Sequence, residues 1–132
     1  MMAQRILVVE DDEFLRELYE ELLKGEGYDV TVAVDGEQGL TQMSEGGFEL
    51  VLLDIMLPKM DGLEILRHIK DKSPKQANGP VVLLTNLGQD SIIKEGFAIG
   101  ASGYLIKSAM NPDQVLSEVK VFLNKSNLST PS

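Results

Sequence analysis

The chain has 132 residues, a formal net charge of −9, 25% charged residues and 43% hydrophobic ones, the profile of one globular domain able to bury a core without staples. It has no Cys and a single His, which excludes disulfides, thiolate metal sites and a multi-histidine metal centre, and makes a reducing, cytoplasmic setting the expectation. The acidic balance argues against direct binding of nucleic acid or anionic lipid by this domain. No apolar stretch approaches the roughly 20 residues of a membrane span, and the first strand-like run begins too early to leave room for a signal peptide.

Apolar runs alternate with helical spacings, which predicts a parallel sheet joined by helical crossovers. Residues 6–9 form the first strand and run into Glu10, Asp11 and Asp12. Phe14, Leu15, Leu18, Tyr19, Leu22 and Leu23 then recur at helical spacing, with Asp12 as a candidate cap and Lys24-Gly25 as the stop. Residues 28–34 read as a second strand at a sheet edge, Asp35-Gly36 as a turn, and residues 37–45 as a short helix. Residues 48–53 are the third strand, ending at Asp54 before a loop that contains Pro58. A helix over Gly62–Asp71 follows, with Asp61 near its cap and Gly62 easing the turn.

After the polar loop 73–79, the fourth strand over residues 81–84 runs into Thr85. A helix over residues 91–99 is interrupted by Gly96, and residues 103–107 form a short fifth strand ending at Lys107. The last helix has Asn111 at the cap, Pro112 at its first position and Gln114 at its third, with Val115, Leu116, Val119, Phe122 and Leu123 as its apolar stripe. Residues 1–124 are read as the domain, and the polar tail 125–132 is expected to be disordered.

Four apolar strands thus end in groups that handle phosphate or metal: the acidic run 10–12, Asp54, Thr85 and Lys107. In open α/β sheets the binding crevice lies beyond the carboxyl ends of the strands. Carboxylates there suit Mg²⁺, a hard cation that takes one or two of them with water and phosphate. Lys107 is placed to neutralise a bound anion, and the Thr85 hydroxyl to donate a hydrogen bond to it. Together these parts describe phosphoryl transfer to a carboxylate, with Asp54 as the nucleophile.

The motifs ILVVEDD (6–12), VLLDIMLPKMDG (51–62), VVLLT (81–85) and GASGYLIK (100–107) resemble those of the receiver domain of bacterial two-component response regulators, of the single-domain chemotaxis-regulator type. The resemblance covers about residues 5–124. It implies a flavodoxin-like α/β fold, a doubly wound five-stranded parallel sheet of order 2-1-3-4-5 with five helices. It also implies Asp54 as phosphoacceptor, Glu10 and Asp11 as the acidic pair, and the Met56 carbonyl as a further Mg²⁺ ligand. Thr85 and Lys107 would contact the phosphoryl group, and Tyr104 matches the aromatic whose rotamer follows Thr85. The implied donor is a histidine kinase or histidine phosphotransfer protein. The implied output is a protein target bound in trans through the fourth helix, fifth strand and last helix, by a monomer or a phosphorylation-dependent dimer.

The chain departs from the family pattern in three places. Ser108 stands where Pro is common, which puts a cis peptide after Lys107 in question. Asn86 follows Thr85 where a smaller residue is usual, and would narrow access to Asp54 or add a polar contact. Met56 and Leu87 are both apolar and offer nothing to orient a hydrolytic water, so slow self-dephosphorylation is expected and no enzymatic turnover beyond it. His68 reads as a surface helix residue. Competing readings are a Mg²⁺-dependent aspartyl-phosphate phosphatase of the haloacid dehalogenase type, the receiver part of a longer DNA-binding regulator, and a phosphorylation-independent interaction module. The phosphatase would need an acid where Met56 stands.

Overall fold

Residues 6–9, 50–53 and 82–84 are fully buried, because each strand they belong to is covered on both faces. The computed structural model describes residues 3–86 and 89–129. Its strands are β1 (Arg5–Val9), β2 (Asp29–Ala33), β3 (Leu50–Asp54), β4 (Val81–Thr85) and β5 (Gly103–Ile106). Its helices are α1 (Glu13–Gly25), α2 (Gly36–Glu45), α3 (Gly62–Asp71), α4 (Asp90–Ala98) and α5 (Pro112–Ser129). All strand pairs are parallel and the order is β2-β1-β3-β4-β5, which puts β2 at an edge as expected.

Alternation along the strands builds two cores. Leu7, Val9, Val51, Leu53 and Leu83 point to one face and pack with Met43, Leu63, Ile65 and Leu66 from α2 and α3. Ile6, Val8, Leu50, Leu52 and Leu84 point to the other and pack with Tyr19, Leu23, Val115 and Val119 from α1 and α5. The result is three layers, helix–sheet–helix.

Several helix entries are as the sequence implies. Asp12 caps α1, accepting from the Leu15 N–H at 3.0 Å, and Asp61 caps α3, accepting from the Glu64 N–H at 2.9 Å. Asn111 and Gln114 exchange side chain-to-backbone bonds of 2.9 and 2.8 Å, a reciprocal cap for α5. Gly62 is required for proximity more than for the turn: a Cβ there would lie 2.6 Å from the Asp54 carbonyl oxygen. That close approach seats the start of α3 against the end of β3.

Other expectations are corrected. Phe14 belongs to no core and is 73% exposed. The left-handed residue after α1 is Gly27 (φ 91°), not Gly25, which is still helical. Asp54 is the last residue of β3, whereas Lys107 lies past β5 in a 3₁₀ turn over Lys107–Ala109. α5 continues to Ser129, so residues 125–129 are helical rather than a disordered tail, and the remainder of that tail lies outside the described residues. The peptide after Lys107 agrees with the question that Ser108 raised: no cis peptide occurs among the described residues, and Lys107–Ser108 is trans. No helix among them is long and apolar enough to cross a membrane.

Candidate functional site

The register of the sheet assembles the site. Val9 pairs with Leu53, so the residues that follow, Glu10 and Asp54, emerge side by side at the carboxyl ends of β1 and β3. Asp54 pairs with Leu84, and Thr85 with Ile106, which brings β4 and the Lys107 turn alongside. Glu10 is completely buried and Asp54 is 3% exposed, whereas Asp11 faces solvent. One carboxylate oxygen from each of Glu10, Asp11 and Asp54 lies within 4.8 Å of the other two.

Lys107 closes the cluster. Its ammonium donates to Glu10 Oε1 at 2.8 Å and to Asp54 Oδ2 at 3.0 Å. Burial works against the charge of Lys107, but its bonds to Glu10 and Asp54 outweigh that and hold its pKa above the ordinary lysine value. Burial also pushes the Glu10 carboxyl up, and neighbouring Asp54 adds to the rise while Lys107 opposes it. The two shifts differ in meaning because one ammonium serves two carboxylates: the cation gains, and the more buried acid remains under-compensated. The other oxygen of Asp54 accepts from the Met56 N–H at 3.2 Å, which orients the carboxylate.

These groups line an open pocket of about 520 Å³ with Asp12, Leu15, Met56, Asn86 and Ser108. Asn86 and Met56 both form part of the wall, and Met56 is 59% exposed. Leu87 lies outside the described residues. Thr85 is nearly inaccessible and does not turn its hydroxyl to the carboxylates; the hydroxyl donates to the Asn86 carbonyl at 3.2 Å and to Gln89 Oε1. Tyr104 is 44% exposed and meets Phe97 edge to face, ring centroids 6.2 Å apart.

Two residues escape a reading of the sequence alone. Arg16 donates to the carbonyls of Glu10 at 3.1 Å and Asp11 at 3.3 Å, pinning the backbone of the acidic pair. Its place one turn into the helix after the acidic run was the available signal. Gln89 is the other, and only its spacing of four from Thr85 hinted at contact.

This arrangement, at the switch in strand order of a doubly wound sheet, is that of a phosphoacceptor domain. The chain belongs to the response regulator receiver domain family, whose model matches residues 6–120. It is 39% identical over 132 residues to the uncharacterized transcriptional regulatory protein YkoG of Bacillus subtilis, a match covering 98% of this chain and 55% of the relative. It is 34% identical over 131 residues to the alkaline phosphatase synthesis transcriptional regulatory protein PhoP of the same organism, covering 99% and 53%. The chain therefore spans about half the length of these curated relatives. Among solved structures, the CheY-like receiver domain protein of Methanospirillum hungatei superposes with a TM-score of 0.85 at 28% identity, covering 98% of this chain and all of that one.

Receiver domains bind Mg²⁺ at an acidic pocket, and the donor set here fits it. Glu10, Asp11 and Asp54 supply hard oxygen ligands, and three carboxylates facing one ammonium leave the site short of positive charge.

Proposed function

We propose that this receiver domain is a phosphorylation-dependent switch in which Asp54 accepts a phosphoryl group from a histidine kinase or histidine phosphotransfer protein. The observation that carries the reading is the position of Asp54: almost buried at the end of β3, its Oδ2 held 3.0 Å from the Lys107 ammonium and its carboxylate among two others. An Asp54 oxygen attacks the phosphorus of a phosphohistidine; the O–P bond forms, the P–N bond breaks, and the electron pair leaves on the imidazole nitrogen. Glu10, Asp11, Asp54 and the Met56 carbonyl would hold Mg²⁺, which supplies charge neutralisation at the phosphoryl oxygens when bound. Lys107 stays paired with the new phosphoryl oxygens in place of the free Asp54 carboxylate.

The Thr85 hydroxyl then turns to the phosphoryl group, and the Tyr104 side chain follows. The surface of α4, β5 and α5 thereby changes its affinity for a protein target, which is the only way such a switch transmits. Acetyl phosphate or beryllofluoride with Mg²⁺ should raise the melting temperature of the chain and leave Asp54→Asn unmoved. An identical response in the two proteins contradicts the assignment.

A second reading of the output is favoured by the half-length match to transcriptional regulators: the target of the switch is a DNA-binding domain of the same protein. With a net charge of −9 on the receiver, contact with DNA would then belong to that other domain.

A further inference from the structure

We propose that Gln89 is a positioning residue that holds the Thr85 hydroxyl in the resting chain and sets the threshold of the switch. The inference rests on the reading of Asp54 as phosphoacceptor. A threonine hydroxyl has one proton to donate. Here it goes to the Asn86 carbonyl at 3.2 Å and to Gln89 Oε1, so it is not available to a phosphoryl oxygen on Asp54. The same Gln89 oxygen accepts from the Asn86 N–H at 2.8 Å, so one side chain fastens both the hydroxyl and the backbone that follows it.

The arrangement has a counterpart in what α4 lacks. Asp12, Asp35 and Asp61 each turn forward to cap the helix they precede. Gln89 occupies the same position before α4, yet its side chain makes no capping bond to that helix and reaches back instead to Thr85 and Asn86. The residue that leads into α4 is therefore tied to the end of β4 through a bond that activation has to break. Movement of Thr85 towards Asp54 removes one of the two donors to Gln89 and loosens that tie, which carries the event from the site to α4.

The test is a beryllofluoride titration with saturating Mg²⁺, followed by the amide NMR signal of Asn86. Gln89→Met keeps the length of the side chain and removes the acceptor. Its midpoint should fall about three- to tenfold below that of the unaltered chain, the equivalent of one net hydrogen bond. Gln89→Ala should shift the same way, and Gln89→Glu, which retains an acceptor, should restore a midpoint at or above the original. Before activator is added, the Asn86 amide should exchange faster in Gln89→Met. A purely structural Gln89 would lower the melting temperature and leave the midpoint alone. If the unaltered chain responds and Gln89→Met responds at the same concentration, the latch is wrong and Asp54 keeps its role. If the unaltered chain does not respond at all, the phosphoacceptor reading falls and the latch with it.

Discussion

The Lys107 ammonium lies 2.8 Å from Glu10, a residue 97 positions away in sequence and completely buried. The pair stands at the centre of the site because, among the described residues, Lys107 is the one cation in an ion pair with Glu10, and it must also serve Asp54. Replacing Lys107 with Met strands two carboxylates in a poorly hydrated place. The expected cost is about 1–3 kcal/mol of stability in the absence of divalent metal, the range for a buried polar group left without its partner. Mg²⁺ supplies replacement charge, so the difference in urea midpoint between Lys107→Met and the unaltered chain should narrow when Mg²⁺ replaces EDTA. An equal difference in both buffers contradicts this account of Lys107.

Mg²⁺ itself should stabilise the fold. A ligand bound only by the native state at about 100 times its dissociation constant adds about 2.7 kcal/mol. Asp11 is the informative residue for this test because it is exposed and its removal leaves no core defect. Asp11→Ala should melt within about 0.5 kcal/mol of the unaltered chain in EDTA and lose most of the Mg²⁺-induced stabilisation. Retained stabilisation would move the metal away from this cluster.

Met56 makes part of the pocket wall and is largely exposed, so a side chain there faces any water that approaches the phosphoryl group. A thioether does not orient water; an amide does. Met56→Asn should shorten the lifetime of the acyl phosphate roughly five- to tenfold, the value of about 1 kcal/mol from one positioned hydrogen bond. The decay of phosphorylated protein after removal of the donor measures it, and an unchanged lifetime removes the idea.

Asp35 gives the clearest acid dependence outside the site. The Gln38 N–H, at 2.9 Å, holds its carboxyl below the ordinary carboxylate value, with the Lys59 ammonium at 3.4 Å contributing. A carboxyl whose folded pKa is depressed contributes stability that is present above the unfolded value of 3.8 and lost as pH falls through the lower folded value. Asp35→Ala should therefore be less stable than the unaltered chain at neutral pH, with the gap closing below about pH 4. A constant gap across that range would mean that the charge of Asp35 plays no part.

Much of this was legible in the sequence because it is local. The β-branched runs announce buried strands, the polar residues at their ends announce the crevice, and Asp12, Asp61 and the Asn111–Gln114 pair announce their helices. What the sequence concealed depends on tertiary placement. Lys107 reads as the end of a strand but sits in a 3₁₀ turn, from which its side chain reaches β1 and β3 at once. Phe14 fits the apolar spacing of α1 but falls on its solvent side. The Ser- and Asn-rich stretch after Asn124 lacks an apolar stripe, yet it continues α5. The grip of Gln89 on Thr85 depends on tertiary placement of the two side chains, which no periodicity reports.

The proposed switch turns on a covalent bond to one oxygen of one residue. The chain should be incubated with acetyl phosphate and Mg²⁺, the acyl phosphate trapped by borohydride reduction, and the labelled residue located by peptide mass spectrometry. The label should fall on Asp54, require Mg²⁺, and be absent from Asp54→Asn. Label on another acid, or none on a folded chain that binds Mg²⁺, would contradict it.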